Sequence, residues 1–144
     1  VLSRSLNPPT PEEVMALGLG LGDRVARLER VRTSDGVPLA IERASLPESI
    51  LPDPDEVGAS LYAYLAGQGL RPVRAVQRIS ATNLTARDAT LLDVPPGTAG
   101  LRIERVSYLP NGKVVEFTRS IYRGDAYDFA VELKLADDPE RTLP

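Results

Sequence analysis

The chain has no histidine and no cysteine in its 144 residues. Without histidine it lacks the commonest general base and the commonest transition-metal ligand, so Ser-His and Cys-His catalytic arrangements and histidine metal sites are excluded. Without cysteine there is no disulfide framework, zinc-finger pattern or thiol nucleophile, which agrees with a reducing, cytoplasmic setting. No apolar run approaches bilayer-spanning length and nothing resembles a signal peptide. Charge of one sign is nowhere concentrated: 17 Lys and Arg against 20 Asp and Glu leave a net charge of -3. No block of basic residues is present that would grip nucleic acid or an anionic lipid surface, so neither a membrane partner nor direct DNA binding by these residues is expected. What remains is one domain, long enough to bury a core unaided. It begins with Val1 and not methionine, as a fragment of a longer protein would, so an N-terminal neighbour is expected upstream.

What is present is a phrase spelled twice. The run R-L-E-R-V-R-T-S-D-G-V-P-L-A-I-E at 27–42 is echoed by R-I-E-R-V-S-Y-L-P-N-G-K-V-V-E at 102–116. At a constant offset of 75, Thr10 aligns with Thr85, Leu17 with Leu92, Gly22 with Gly97, Arg27 with Arg102, Glu29 with Glu104 and Arg30 with Arg105; the offset slips by one at the turn. Each copy reads as a helix followed by a hairpin. Thr10 caps the first helix, with Pro11 at its first position and Glu13 closing a capping box, and Gly18 ends it. Strands follow at 24–33 and 37–44 around Ser34-Asp35-Gly36. Asp53-Pro54-Asp55-Glu56 starts a short turn, and Ser60 opens a helix through Leu61-Tyr62-Ala63-Tyr64 to Gly67 or Gly69. A long strand covers 72–82, a helix starts at Thr85, and strands at 100–108 and 113–123 flank an Asn111-Gly112 hairpin. A last strand is expected over Y-D-F-A-V-E-L-K-L, 127–135. Two copies are too few for a solenoid. The reading is therefore a pseudo-symmetric α+β domain with one mostly antiparallel sheet.

Alternation sorts the strand residues into faces. Val115, Phe117 and Ile121 share one face, with Glu116, Thr118, Ser120 and Tyr122 on the other. In the earlier hairpin Val37, Leu39 and Ile41 stand opposite Pro38, Ala40, Glu42 and Ala44, so a carboxylate flanked by alanines would lie at the floor of something small. Arg30 and Arg32, two apart, project together and suit a phosphate or carboxylate. The second copy aligns Arg105 with Arg30 but Ser107 with Arg32. Only the first hairpin is thus expected to clamp an anion, and Arg105 is expected to matter little to a ligand. The same residues also fit plainer roles: the arginines as a solvated face paired with cross-strand glutamates, Ser60 as a helix cap, Tyr62 and Tyr64 beside a packing face. Paired glutamates also match the equipment of a glycoside hydrolase.

The runs L-E-R-V-R-T-S-D-G-V-P-L-A-I-E, S-L-Y-A-Y-L, A-T-L-L-D-V-P-P-G, L-R-I-E-R-V-S-Y and E-F-T-R-S-I-Y-R-G-D-A-Y-D-F together resemble the UTRA ligand-binding domain of HutC-type GntR-superfamily transcription regulators. The resemblance covers about Leu2 to Leu135. It implies a chorismate-lyase-like fold, a six-stranded antiparallel sheet with flanking helices and an internal pseudo-repeat, spanning 1–144 as one effector-binding domain. In relatives that sense phosphorylated amino sugars, arginines of the first hairpin strand hold phosphate. Those positions match Arg30 and Arg32, and the family's other pocket residues match Glu42, Ser60, Tyr62, Glu116 and Tyr122. A phosphate-binding S-F-x-E-D-M-like segment of those relatives is absent from this chain, as is the winged helix-turn-helix. The resemblance therefore implies a non-enzymatic, homodimeric effector domain without cofactor or metal. It would bind a small anion, a sugar phosphate first and an organic acid second, and reach DNA only through a missing N-terminal domain. A chorismate-lyase-like or other small-molecule enzyme on the same fold is the alternative.

Overall fold

The computed structural model describes residues 3–126. Stretches of ten or eleven residues containing β-branched and arginine residues form the long strands, and the elements follow in the order β1 (Ser3–Asn7), α1 (Pro11–Leu17), β2 (Val25–Ser34), β3 (Val37–Pro47), a 3-10 turn (Pro54–Glu56), α2 (Leu61–Gly67), β4 (Arg74–Asn83), α3 (Ala86–Leu91), β5 (Ala99–Tyr108) and β6 (Val114–Arg123). The strands form one antiparallel sheet in the order β1-β2-β3-β6-β5-β4. Strand β1 has no counterpart in the sequence reading. The closing strand expected at 127–135 lies outside the described residues.

The helices begin where their caps dictate. Thr10 accepts from the Glu13 N–H while Glu13 accepts from the Thr10 N–H, a complete capping box. Thr85, its counterpart, accepts from the Asp88 N–H. Ser60 caps α2 by accepting from the Ala63 N–H. The hairpin between β2 and β3 turns through Asp35 and Gly36 at φ of 51° and 78°, the left-handed region that aspartate tolerates and glycine favours.

The duplication is visible in the sheet. Exchanging β1 with β4, β2 with β5 and β3 with β6 returns the same strand order, so the copies meet at the β3–β6 pair, where Arg43 lies opposite Arg119. Each arginine reaches a helix of the other copy. Arg43 donates to Asp88 of α3 at 2.8 Å, and Arg119 donates to Glu12 of α1 at 3.2 Å. The slip at the turn has a consequence here: Gly36 corresponds to Gly112, so the counterpart of Glu42 is Thr118 and not Glu116. The two glutamates of the returning strands thus stand in different rows of the sheet.

Three apolar clusters hold the layers together. Helix α1 packs Leu17 against Val25 and Phe117, and α3 with its C-cap residue packs Ala89 and Leu92 against Ile41 and Ile121, both on one face of the sheet. On the other face, Leu65 of α2 is buried among Leu28, Leu46 and Leu51. Burying one such leucine contributes about 1.5–3 kcal/mol, and Leu65 is the one buried residue of this short helix. Val115 departs from the face expected of it, since it packs in the Leu65 cluster while Phe117 and Ile121 lie in the clusters under α1 and α3. The β5–β6 pairing shifts register between Ser107 and Tyr108, beside Val115.

Candidate functional site

Alternation along the central strands delivers a row of polar side chains to the α2 face. Arg30 lies opposite Glu42, Glu42 opposite Ser120, and Arg105 opposite Thr118, all by strand register. Helix α2, pinned by Leu65, brings Ser60 and Tyr62 over this row. Together they enclose a cavity of about 170 Å³ whose lining includes Arg30, Arg32, Glu42, Ser60, Tyr62 and Glu116. Tyr122, the seventh expected residue, lines an adjoining space of about 110 Å³. The two spaces share Glu42, Arg105 and Thr118 as a common wall.

The charges are unevenly satisfied. Arg32 donates to Glu42 in a close ion pair, and Arg32 is largely exposed. Arg30 donates from Nη1 to the Ala59 carbonyl at 3.2 Å, while its Nη2 is buried and has no hydrogen-bond partner among the described residues. Burial lowers the Arg30 pKa; Glu42 opposes this shift and the neighbouring Arg32 and Arg4 add to it. Arg30 is therefore a cation held partly out of water with its charge incompletely compensated.

Glu116 is fully buried and accepts three hydroxyl hydrogen bonds, from Tyr62, from Ser107 at 2.8 Å and from Thr118 at 2.8 Å. It orients a wall of the cavity more than it offers free lone pairs. The Tyr62 hydroxyl is pushed up to about 12, first by burial and then by its bond to Glu116, so it remains protonated and pointed at that carboxylate. The Ser60 hydroxyl caps α2 at 3.2 Å from the Ala63 nitrogen. Its proton remains available to a ligand, so the capping role and a binding role coexist.

Arg105, which the sequence reading set aside as of little weight for a ligand, is part of the cavity wall. It lines both spaces, its guanidinium carbon stands 5.4 Å from the centre of the Tyr62 ring, and its Nε lies 3.4 Å from Glu116. The offset of 75 that aligns it with Arg30 was the signal available, because counterparts in a duplicated sheet share a face.

The comparisons with known proteins decide the family. Residues 1–128 match the UTRA domain. The chain belongs to the UTRA domain family. Among curated UTRA relatives, the HTH-type transcriptional repressor PhnF of Mycolicibacterium smegmatis is 38% identical over 125 residues, covering 83% of this chain and 51% of PhnF. The HTH-type transcriptional repressor NagR of Bacillus subtilis is 32% identical over 123 residues, covering 83% of this chain and 51% of NagR. The chain thus spans about half the length of the curated relatives it matches. The crystal structure of the PhnF effector domain superposes with a TM-score of 0.87 at 33% identity, covering 93% of this chain and 85% of that one. A GntR-family regulator from Enterococcus faecalis gives 0.85 at 32% identity, covering 92% and 97%. This UTRA domain accordingly has the α+β fold of GntR-family effector domains, as the sequence motifs imply.

Proposed function

We propose that this UTRA domain is the effector-sensing part of a bacterial transcription repressor, and that the cavity beneath α2 binds a small organic anion, a sugar phosphate or related phosphate monoester in preference to a carboxylic acid. Binding would control DNA recognition by a domain that is not part of this chain. The ligand is bound and released unchanged, in keeping with relatives named as transcriptional repressors.

The observation that carries this reading is Arg30, whose Nη2 is buried without a hydrogen-bond partner in a polar cavity. A buried donor left unmade costs free energy, and a phosphoryl oxygen would satisfy it with a charge-assisted bond. Arg32 and the Ser60 hydroxyl stand beside it as further donors. For Arg32 to serve, the ligand must share it with Glu42 or displace that carboxylate.

The test is calorimetric titration with a panel of phosphosugars and organic acids. Replacing Arg30 with alanine should remove about 1.5–3 kcal/mol of binding, a loss of roughly ten- to a hundredfold in affinity. Equal affinity in the wild type and Arg30→Ala would overturn the reading. So would recovery of a chemically altered ligand after long incubation.

A further inference from the structure

The duplicated charges on the α1 and α3 face of the sheet are not used alike. Arg43 and Arg119 are counterparts, as are Glu29 and Glu104, and each glutamate lies in register with the arginine of its own copy. Arg43 uses both acceptors within its reach: its Nε donates to the in-register Glu29 at 2.7 Å and its Nη2 donates to Asp88 of α3 at 2.8 Å. Arg119 takes only the helix side. Its Nη1 donates to Glu12 of α1 at 3.2 Å, and its Nη2 donates to Ser45 Oγ at 3.2 Å and lies 3.8 Å from Glu13. Its Nε is buried and has no hydrogen-bond partner among the described residues. Glu104 is correspondingly left over, with Arg102 at 3.9 Å as its one ion-pair neighbour among the described residues.

The sequence explains the difference. The Ser45 hydroxyl donates to Glu13 at 2.6 Å and accepts from Arg119, whereas its counterpart on β6 is Ile121, which offers Arg43 no acceptor. Ser45 and α1 thus draw Arg119 away from Glu104 and leave its Nε unmet, which costs free energy. The cross-strand position beside Glu104 would meet it, as Arg43 shows at the equivalent place. Leaving α1 strands no charge. Glu13 keeps its bonds from Arg27 at 2.6 and 2.9 Å and from Ser45, and Glu12, 59% exposed, returns to water.

We propose that Arg119 is a latch with two positions. In the one seen here it ties the first turn of α1 to β6; in the other its guanidinium turns to Glu104, the Nε gains the bond that Arg43 makes with Glu29, and α1 is released at Glu12. The helix is only seven residues long, so each attachment to the sheet matters to it. Strand β6 carries the latch between Thr118 and Ser120, whose side chains line the joined spaces on the opposite face of the sheet. Consecutive residues of one strand therefore form the cavity wall and hold the helix.

Hydrogen exchange of the Val14 and Gly18 amides, which bond within α1 to Thr10 and Val14, reads how often the helix opens. Glu104→Ala removes the alternative partner while leaving every α1 contact in place. It should slow exchange of these two amides about two- to fivefold, the change carried by one opposite-charge cross-strand pair, while the amides of the β3–β6 ladder keep their rates. A merely structural Glu104 would give the reverse, because losing it would loosen the fold. In an Arg119→Gln background Glu104→Ala should leave α1 exchange unaltered, and if Arg119→Gln does not fold, the comparison of Glu104→Ala with wild type decides by itself. Exchange in Glu104→Ala that equals or exceeds the wild-type rate at Val14 and Gly18 overturns the latch. So does a slowing shared by the β3–β6 amides, or one that persists without Arg119.

Discussion

Glu13 shows how one side chain joins local and tertiary structure. It closes the α1 capping box at the Thr10 N–H, 2.8 Å away, and its wholly buried carboxylate also accepts from Arg27 at 2.6 and 2.9 Å and from Ser45 at 2.6 Å. Burial alone would raise its pKa, but the bonds from Arg27, Ser45 and Thr10 outweigh it and hold the group at about 2, against an ordinary 4.5. A depressed carboxylate stabilises the fold above its unfolded pKa, and that stability is lost as pH falls through the folded value. The loss, on the order of 3 kcal/mol, should therefore develop between about pH 4.5 and pH 2. Denaturant melts of the wild type should weaken across that window beyond what Glu13→Gln shows, and the two stabilities should converge near pH 2. Parallel pH profiles would show that the Glu13 carboxylate is not the group responsible.

At the scale of elements, the site depends on where β5 can lie against β6. Gly100, the second residue of β5, lies in register with Arg123, and a Cβ there would stand 2.8 Å from the Tyr122 carbonyl oxygen and 2.9 Å from Leu84 Cδ2. The carbonyl belongs to the sheet and cannot swing aside. Gly100→Ala should therefore destabilise the domain by roughly 1–3 kcal/mol, measured by denaturant unfolding. It should also shift Tyr122 in the smaller of the two joined spaces. Unchanged stability would mean that β5 slides freely, and the fixed position of Arg105 would then lose its support. The short helices follow the same logic. Each starts at its own cap, but each is only six or seven residues long and stays helical because the sheet buries one side of it.

At the scale of the molecule, β4 is, among the described residues, the outer strand on the side opposite β1, and nine of its ten residues are exposed. Val76 and Ile79, on opposite faces, are 49% and 40% exposed, and Val73 just before the strand is 64% exposed. An exposed strand edge bearing apolar side chains is a template for pairing with a second copy. Self-association through β4 is expected, as a twofold regulator would require. Sedimentation at high micromolar concentration should show a dimer, and Val76→Lys with Ile79→Lys should shift it toward monomer. A monomeric wild type, or a dimer indifferent to both lysines, would count against this edge. Among the described residues no helix is long and apolar enough to cross a membrane.

The caps at Thr10, Ser60 and Thr85, the two hairpin turns and, apart from Val115 beside the β5–β6 register shift, the faces of the long strands were legible in the sequence because each is set by residues within a few positions of one another. Period-two alternation is enough to put Arg30, Arg32, Glu42 and Glu116 on the cavity side of their strands. The repeat was legible for the same reason, since it is a property of the order of residues. Strand β1 was missed because five residues, Ser3-Arg4-Ser5-Leu6-Asn7, carry too little alternation to announce a strand, and it forms by pairing with β2. The adjacency of β3 and β6 was also beyond local reading. It joins residues about 80 apart, from Ala40 opposite Tyr122 to Ser45 opposite Phe117. That pairing alone decides that Arg43 meets Asp88, that Glu42 and Glu116 occupy different rows, and that Arg105 enters the cavity with Arg30. Local sequence sets which way a side chain points from its strand; what it points at depends on which strands lie next to each other, and that is fixed only when the two copies close their shared sheet.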